Sequence, residues 1–557
     1  MRGNLDEYFI IMEKLKTSNY SKAIQEIKSA ILKSRYRAAA LANRELLSLY
    51  YGIGKTIILI FIALWSIDSS TVSAFDNRTV ESAKMIRNAS ESVIRVSEKN
   101  PHYYSYRGKE ILLLTSAEHY GAVIHSRFNY RKYLDVLASY GLNYTRIYPG
   151  SVALIPGLRR KDDTLAPGQD LIAPWPRSDT PGYIGGGNKF DLDRWDDHFF
   201  ARLDDFLNYA SEKDIIVEIC FFNSQHSNTY PYSPLHQNAN IQGIGCDNFV
   251  EFETLFHKEL VDAQLKYVEK IMVETNKYDN VIYEFVDEPT LDGTKRNDVY
   301  EWIDALITHA GNIESQLPKK HLFAQQIMRG LDFCEDDRIA VIVAQYVTIM
   351  GKQIGGLPAL HSCYDANKPI EMNETVSALS IPNYYEKDVV ASSRLESWEF
   401  IVGGGAAFNQ LNACFTAPNP GGDHPDNHAI LNGLRNLRSF VESMDFAKMK
   451  RDGGTIYSIT PGGSVNGISE YGKQYAFYVH HSFPNYSGWH PSHYVPSEGN
   501  YQPVITLKLP EGEYLLTFIN PADLRIISTS RIKSTGETMT IKCPEYQLDI
   551  AFKIISE

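Results

Sequence analysis

The chain has 557 residues, of which 43% are hydrophobic and 22% charged, and a net charge of −12. That length exceeds one ordinary domain and predicts two or three. The acidic balance without a basic stripe argues against a nucleic-acid partner for the main body, and six cysteines with no CxxC spacing argue against structural zinc. Cys220 and Cys414 lie in apolar runs and are expected to be buried thiols. Aromatic residues make up 12% of the chain, including 35 Tyr; rings in such number suit a sugar-stacking cleft and ordinary core packing equally.

Residues 20–51 are helical in pattern, with Ile24, Ile27, Ile31, Ala38 and Leu41 spaced three, four or seven apart, and Leu46, Leu47 and Leu49 beyond them, among Lys, Arg and Glu. Within residues 1–54, the stretch Ala40-Leu-Ala-Asn-Arg-Glu-Leu-Leu-Ser-Leu-Tyr-Tyr-Gly-Ile-Gly-Lys55 resembles the helical N-terminal module of a family of bacterial predicted nucleases. It covers none of that family's catalytic half. Lys55-Thr-Ile-Ile-Leu-Ile-Phe-Ile-Ala-Leu-Trp-Ser-Ile67, followed by Val72-Ser-Ala74, has the order of a secretory signal: a basic residue, a short apolar run and small residues at a cleavage site. The run falls short of the roughly 20 apolar residues of a membrane span. Residues 55–77 are therefore expected to direct a secreted or periplasmic enzyme, with residues 1–54 as an upstream extension.

A helix is expected over Val80–Glu98. From there strand-like and helical runs alternate. The strands are expected at Glu110–Thr115, Tyr144–Tyr148, Ile215–Phe222, Val281–Val286, His321–Ile327, Ile339–Tyr346, Pro369–Asn373 and Gly405–Leu411. Helices are expected at Tyr130–Tyr140, Leu192–Lys213, Phe252–Tyr278, Val299–Gln316 and Ser392–Val402. In the last of these, Trp398 shares a face with Leu395 and Val402, which marks it as core. Nearly continuous apolar strands with crossover helices predict a (β/α)8 TIM barrel over residues 78–447. Two long loops, Pro149–Asp191 and Asn223–Asn248, are expected on its catalytic face, where they would shape a substrate groove. From Gly453 the texture shifts to short alternating runs between turn residues: Tyr475–Val479, Val504–Leu509, Tyr514–Asn520, Thr538–Lys542 and Leu548–Ile554. This predicts a small antiparallel β-sandwich over residues 448–557.

Two of the barrel runs end in a carboxylate where a turn begins: Val281-Ile-Tyr-Glu-Phe-Val-Asp-Glu-Pro289 and Lys368-Pro-Ile-Glu-Met-Asn-Glu-Thr375. The C-terminal end of a barrel strand is where such folds display chemistry. Glu288 and Glu374 are 86 positions apart (374 − 288), and three barrel units of roughly 30 residues predict about 90. This spacing suits carboxyls on the fourth and seventh strands, facing each other across the mouth. Glu284 and Glu371 compete for those roles but sit deeper in their strands, as expected of buried supports.

Tyr283-Glu-Phe-Val-Asp-Glu-Pro289 resembles the fourth-strand signature of clan A glycoside hydrolases, the group that contains the family 5 cellulases. Lys368–Thr375 resembles the seventh-strand signature, Asn143-Tyr-Thr-Arg-Ile-Tyr148 the second strand with its site Arg, and Ala344-Gln-Tyr346 the sixth-strand motif. The likeness spans roughly residues 105–445, and the C-terminal part is similar to accessory domains that follow such barrels. It implies Glu288 as acid/base, Glu374 as nucleophile, and Arg146 and Tyr346 as the groups that keep the nucleophile ionised. It also implies carboxyls about 5 Å apart, a retaining double displacement on a carbohydrate, and no metal or organic cofactor. The family's Asn before the acid/base is Asp287 here, and its sixth-strand His is Gln345. Those departures leave room for a catalytically inactive carbohydrate-binding barrel. His119, Asn223 and His226 follow the first and third strands and would bind sugar, with structural roles as the alternative for each. A metal-dependent barrel hydrolase using His119, Asp287 and Glu288 is the remaining reading, and no HxH pair supports it.

Overall fold

A computed structural model describes residues 92–117, 121–150, 168, 170–223, 227–289, 296–327, 333–344, 347–349, 352–354, 356–375, 389–411, 414–484 and 494–557, all of them within one compact unit of residues 88–557. The expectations for residues 1–77, and those for His119, His226 and Tyr346, lie outside the described residues.

Eight parallel strands form the central sheet: β1 (Leu113–Ala117), β2 (Tyr144–Ile147), β3 (Ile216–Asn223), β4 (Val281–Asp287), β5 (Leu322–Gln326), β6 (Val341–Val343), β7 (Ile370–Thr375) and β8 (Ala407–Leu411). Their order, β1-β8-β7-β6-β5-β4-β3-β2, runs once around a barrel. The β1–β2 seam is bridged by Asn143. Its Oδ1 accepts from the Leu114 N–H at 3.1 Å, its Nδ2 donates to the Leu112 carbonyl at 2.8 Å, and its own N–H reaches the Leu114 carbonyl at 3.3 Å. A side-chain amide thus stands in for a ladder rung.

Every residue of β4 is buried, as are all of β3 except Asn223 at its end. Strands covered on both faces need apolar runs rather than alternation, which is why they were legible. The helices among the described residues are α1 (Tyr130–Ser139), α2 (Asp197–Glu212), α3 (Lys258–Thr275), α4 (Arg296–Gln316), α5 (Gly356–Cys363), α6 (Val389–Val402) and α7 (Pro425–Glu442). Each start has a local cause where a cap is present. Asn129 accepts from the Lys132 N–H to open α1, and Asp196 accepts from His198 and Phe199 to open α2, which shortens the helix expected from Leu192. α7, not expected from the sequence, is capped by His424 with Pro425 in its first turn and buries Ile430, Leu431, Leu434, Leu437 and Val441.

Three further expectations are corrected. The C-terminal part of the helix expected over Val80–Glu98 is extended: Arg95–Val96 pairs antiparallel with Tyr104–Ser105, and the Ile94 N–H donates to the Asp279 carbonyl. The β-branched Val93, Ile94 and Val96 pack better on a sheet than on a helix. The strand expected at Glu110–Thr115 is two strands, Lys109–Ile111 of this small antiparallel sheet and then β1. Cys414 is only partly buried, whereas Cys220 is buried. Cys334 and Cys363 form a disulfide.

After the barrel come β9 (Lys450–Arg451), β10 (Ile456–Thr460), β11 (Ser464–Glu470), β12 (Gln474–His480), β13 (Val504–Lys508), β14 (Gly512–Ile519), β15 (Ile526–Ser534), β16 (Thr538–Lys542) and β17 (Asp549–Ser556). They build a six-stranded sheet, β9-β11-β12-β17-β14-β15, and a three-stranded one, β10-β13-β16, with antiparallel pairing throughout. Tyr475, Phe477, Ile505, Leu507, Leu516, Ile541 and Phe552 fill the core of this sandwich.

The sandwich is joined to the barrel through α6, which is buried on nearly every side. Glu399 accepts from Asn466 Nδ2 at 2.9 Å, bonds His480 Nε2 at 3.1 Å, and also accepts the hydroxyls of Ser464 and Tyr494. Arg394 reaches Asp549 at 2.8 Å, where the Tyr478 hydroxyl also donates at 2.7 Å. Trp398, fully buried, packs between Phe440 of α7 and Tyr478 of β12 with ring centroids 5.0 and 5.5 Å away.

Candidate active site

The barrel interior is polar, and its centre is Arg146 on β2. The guanidinium is fully buried. Its Nε and Nη2 both meet Glu284 Oε2, at 2.7 and 2.6 Å, Nη2 donates to Asp287 Oδ1 at 2.9 Å, and Nη1 reaches Glu374 Oε2 at 3.3 Å. Strands β2, β4 and β7 are thereby held to one cation. Arginine suits the position because its planar fork offers five N–H donors in fixed directions, which a lysine lacks.

Asp287 closes β4 with both oxygens occupied. Oδ1 takes Arg146, and Oδ2 accepts from the Tyr148 hydroxyl at 2.5 Å and from Asn223 Nδ2 at 2.6 Å. A carboxylate accepts from all three at once, with Arg146 the one donor that cannot turn to accept instead. An asparagine would turn one oxygen into an NH2 facing groups that already donate. Glu288 is the next residue and lies half-buried. Its φ of 49° places it in the left-handed region, which is uncommon for a residue with a Cβ and costs on the order of 1–3 kcal/mol. Its N–H donates to Gln326 Oε1 of β5, so the neighbouring strand helps hold the turn.

Glu374 sits in a break of its own. Between Met372 and Thr375 the pairing of β7 with β8 shifts register, a β-bulge. Glu371 and Glu374 are three apart, so simple alternation would send them to opposite faces. The bulge lets both point inward: Glu371 bonds the Tyr104 hydroxyl, and Glu374 faces Arg146. Bulges commonly re-aim a side chain beside a site.

Below this pair the interior holds more acid than one cation can balance. Glu218 on β3 accepts the Tyr144 hydroxyl and lies 3.4 Å from Asn373 Nδ2. Glu218, Glu284 and Glu371 are fully buried. Burial raises the Glu218 carboxyl to about 8, with Glu371 adding to the rise. Burial likewise raises Glu284 to about 8 against the pull of Arg146, and Glu371 to about 7 against its bond from Tyr104. Near neutrality Glu218 and Glu284 favour the protonated state, which relieves repulsion around Arg146.

Of the residues picked out from the sequence, the structure brings Arg146, Asp287, Glu374 and Asn223 into one network and places Glu288 directly beside it. Glu284 and Glu371 are the buried supports expected. Trp175, in the long loop after β2, is buried against Trp195 and Tyr267. Sequence reasoning missed Tyr148 and Gln326. Tyr148 is two residues beyond Arg146, and that spacing, which puts both on one face of an extended strand, was the available signal. Among the described residues no group of three His, Cys, Asp or Glu side chains could hold a metal ion, and no helix is long and apolar enough to cross a membrane.

An eight-stranded parallel barrel followed by an antiparallel sandwich is a fold shared with solved glycoside hydrolase structures. A glycoside hydrolase family 5 structure from Bacteroides vulgatus superposes with a TM-score of 0.56 at 10% identity, over 84% of this chain and 95% of that one. A second structure, named glycoside hydrolase, gives 0.56 at 11% identity over 84% of this chain and 98% of that one. At such identity the likeness establishes the fold. No protein-family model and no curated protein matches the sequence.

Proposed function

We propose that the chain is a retaining O-glycoside hydrolase of the cellulase-like clan acting on an oligo- or polysaccharide. Glu374 is the nucleophile and Glu288 the acid/base. The observation that carries this reading is the contact of Arg146 with Glu374 at the end of β7, beside the strained turn that presents Glu288 at the end of β4. A guanidinium against the carboxylate favours its charged, attacking form. Glu288 would protonate the leaving oxygen and then activate water for the second displacement. Tyr346, His119 and His226 remain candidates for contacts with nucleophile or sugar. Asn223 and Asp287 bond each other and would frame the sugar site rather than close on it alone. The chemistry asks for no metal or organic cofactor. A disulfide between Cys334 and Cys363 suits an oxidising compartment and so a secreted or periplasmic protein.

The experiment is hydrolysis of a glycan panel with the anomer of the product followed by NMR. Net retention with wild type, and loss of turnover in Glu374→Gln and Glu288→Gln, are expected. Inversion, or full activity in Glu374→Gln, would defeat the assignment. Glycan binding with no product from any substrate would instead support a carbohydrate-binding barrel.

A further inference from the structure

Arg146 has its firmest contacts with Glu284 rather than with the carboxylate it is expected to serve. Glu284 Oε2 takes both Nε and Nη2 at 2.7 and 2.6 Å, whereas Nη1 stands 3.3 Å from Glu374. Glu284 and Arg146 are both fully buried, so solvent does not screen or replace the contact. The guanidinium is planar, and fixing its Nε–Nη2 edge fixes the direction of Nη1. Asp287 holds the same Nη2 from the turn side at 2.9 Å. The unused oxygen of Glu284, Oε1, has no hydrogen-bond partner. The hydrogen bonding of this carboxyl therefore runs through Arg146.

We propose that Glu284 is a positioning residue, the clamp that aims Arg146 at Glu374 from within the barrel. This rests on the reading of Glu374 as nucleophile. The clamp is also sensitive to its own charge. The titratable and charged groups facing it are Arg146 on β2, Glu218 and Cys220 on β3, Asp287 on its own strand and Glu371 on β7. With one cation among them, ionisation of Glu284 adds a second full negative charge on Arg146 in competition with Glu374. Protonated, Glu284 still orients the guanidinium through Oε2 and leaves its charge for the nucleophile.

The test uses the full chain as wild type, Glu284→Gln and Glu284→Ala, with crystal structures of each and kcat/KM on dinitrophenyl glycosides between pH 5 and 9. That leaving group departs without a proton, so an alkaline limb does not report Glu288. Glu284→Ala should show Arg146 turned away from Glu374 and kcat/KM lowered about 100-fold, as expected for a misplacement on the ångström scale. Glu284→Gln should keep Arg146 in place and stay near wild type below pH 7. It should also show a smaller fall than wild type above about pH 8, where Glu218 still titrates. Arg146 unmoved in Glu284→Ala with kcat/KM unchanged would overturn the proposal, as would the same alkaline fall in Glu284→Gln. If Glu284→Ala does not fold, the Glu284→Gln profile decides. If wild type cleaves no glycoside, the proposed function fails, while the position of Arg146 in the variant crystals still decides the role of Glu284.

Discussion

Substituting Asp287 by Asn would restore the residue of the fourth-strand signature that Tyr283–Pro289 resembles, and the naive expectation is a gain of activity. The structure predicts a loss. Asp287 accepts from Arg146 at 2.9 Å, Tyr148 at 2.5 Å and Asn223 at 2.6 Å while fully buried. Asn223 can turn its amide and Tyr148 its hydroxyl to meet the new NH2, so those two contacts are recoverable. The charge opposite Arg146 is not. Breaking a buried ion pair costs about 3–5 kcal/mol, and a charge-assisted hydrogen bond is worth about 1.5–3 kcal/mol. Glu284 and Glu374 still face Arg146, so the lower part of that range applies, about 3 kcal/mol. Chemical denaturation of wild type and Asp287→Asn measures it directly. The same variant should lose about tenfold or more in kcat/KM, because Arg146 relaxes toward its remaining partners and the turn carrying Glu288 loosens. Equal stability together with raised kcat/KM would refute the view that Asp287 is fixed by its three donors.

Other consequences follow from the same geometry. Trp398→Ala removes a fully buried ring between Phe440 and Tyr478 and should cost about 3–5 kcal/mol, read as a lower midpoint in guanidinium. Glu399→Ala leaves Ser464, Asn466, His480 and Tyr494 without their common acceptor. Limited proteolysis between barrel and sandwich should then accelerate, and an unchanged cleavage rate would argue against α6 as the junction. Glu218 and Glu371, with folded values raised to about 8 and about 7, hold protons that the unfolded chain releases from about pH 4.5 upward. The unfolded state then binds fewer protons, so their contribution is fully present below that pH and is lost as pH rises to about 8. Wild type should be less stable at pH 8 than at pH 5, and Glu218→Gln with Glu371→Gln should shrink the difference; no change in the pH slope would count against the buried acid cluster.

Periodicity carried far. All eight barrel strands, five of the helices and five of the sandwich strands were legible, because each buries its side chains by a pattern repeated within a few residues. The carboxylates at the tips of β4 and β7 were legible for the same reason: a charged residue ending an apolar run marks the mouth of the barrel. α7 was within reach, since His424-Pro425 and the spacing of Ile430, Leu434 and Leu437 are local signals. The register shift in β7 was not. It changes which face Glu374 occupies, and it exists only in the pairing of β7 with β8.

Length, composition and local pattern by themselves determined a parallel barrel with an antiparallel sandwich behind it and placed Glu288 and Glu374 at strand ends. The tertiary structure alone decided what those residues answer to. Arg146 and Glu374 are separated by 228 positions, Tyr104 and Glu371 by 267, and Arg394 and Asp549 by 155. Contacts of that span leave no trace in a window of neighbours. They arise when burial removes water from a crowd of carboxyls and the one guanidinium at its centre must share its five N–H groups among them.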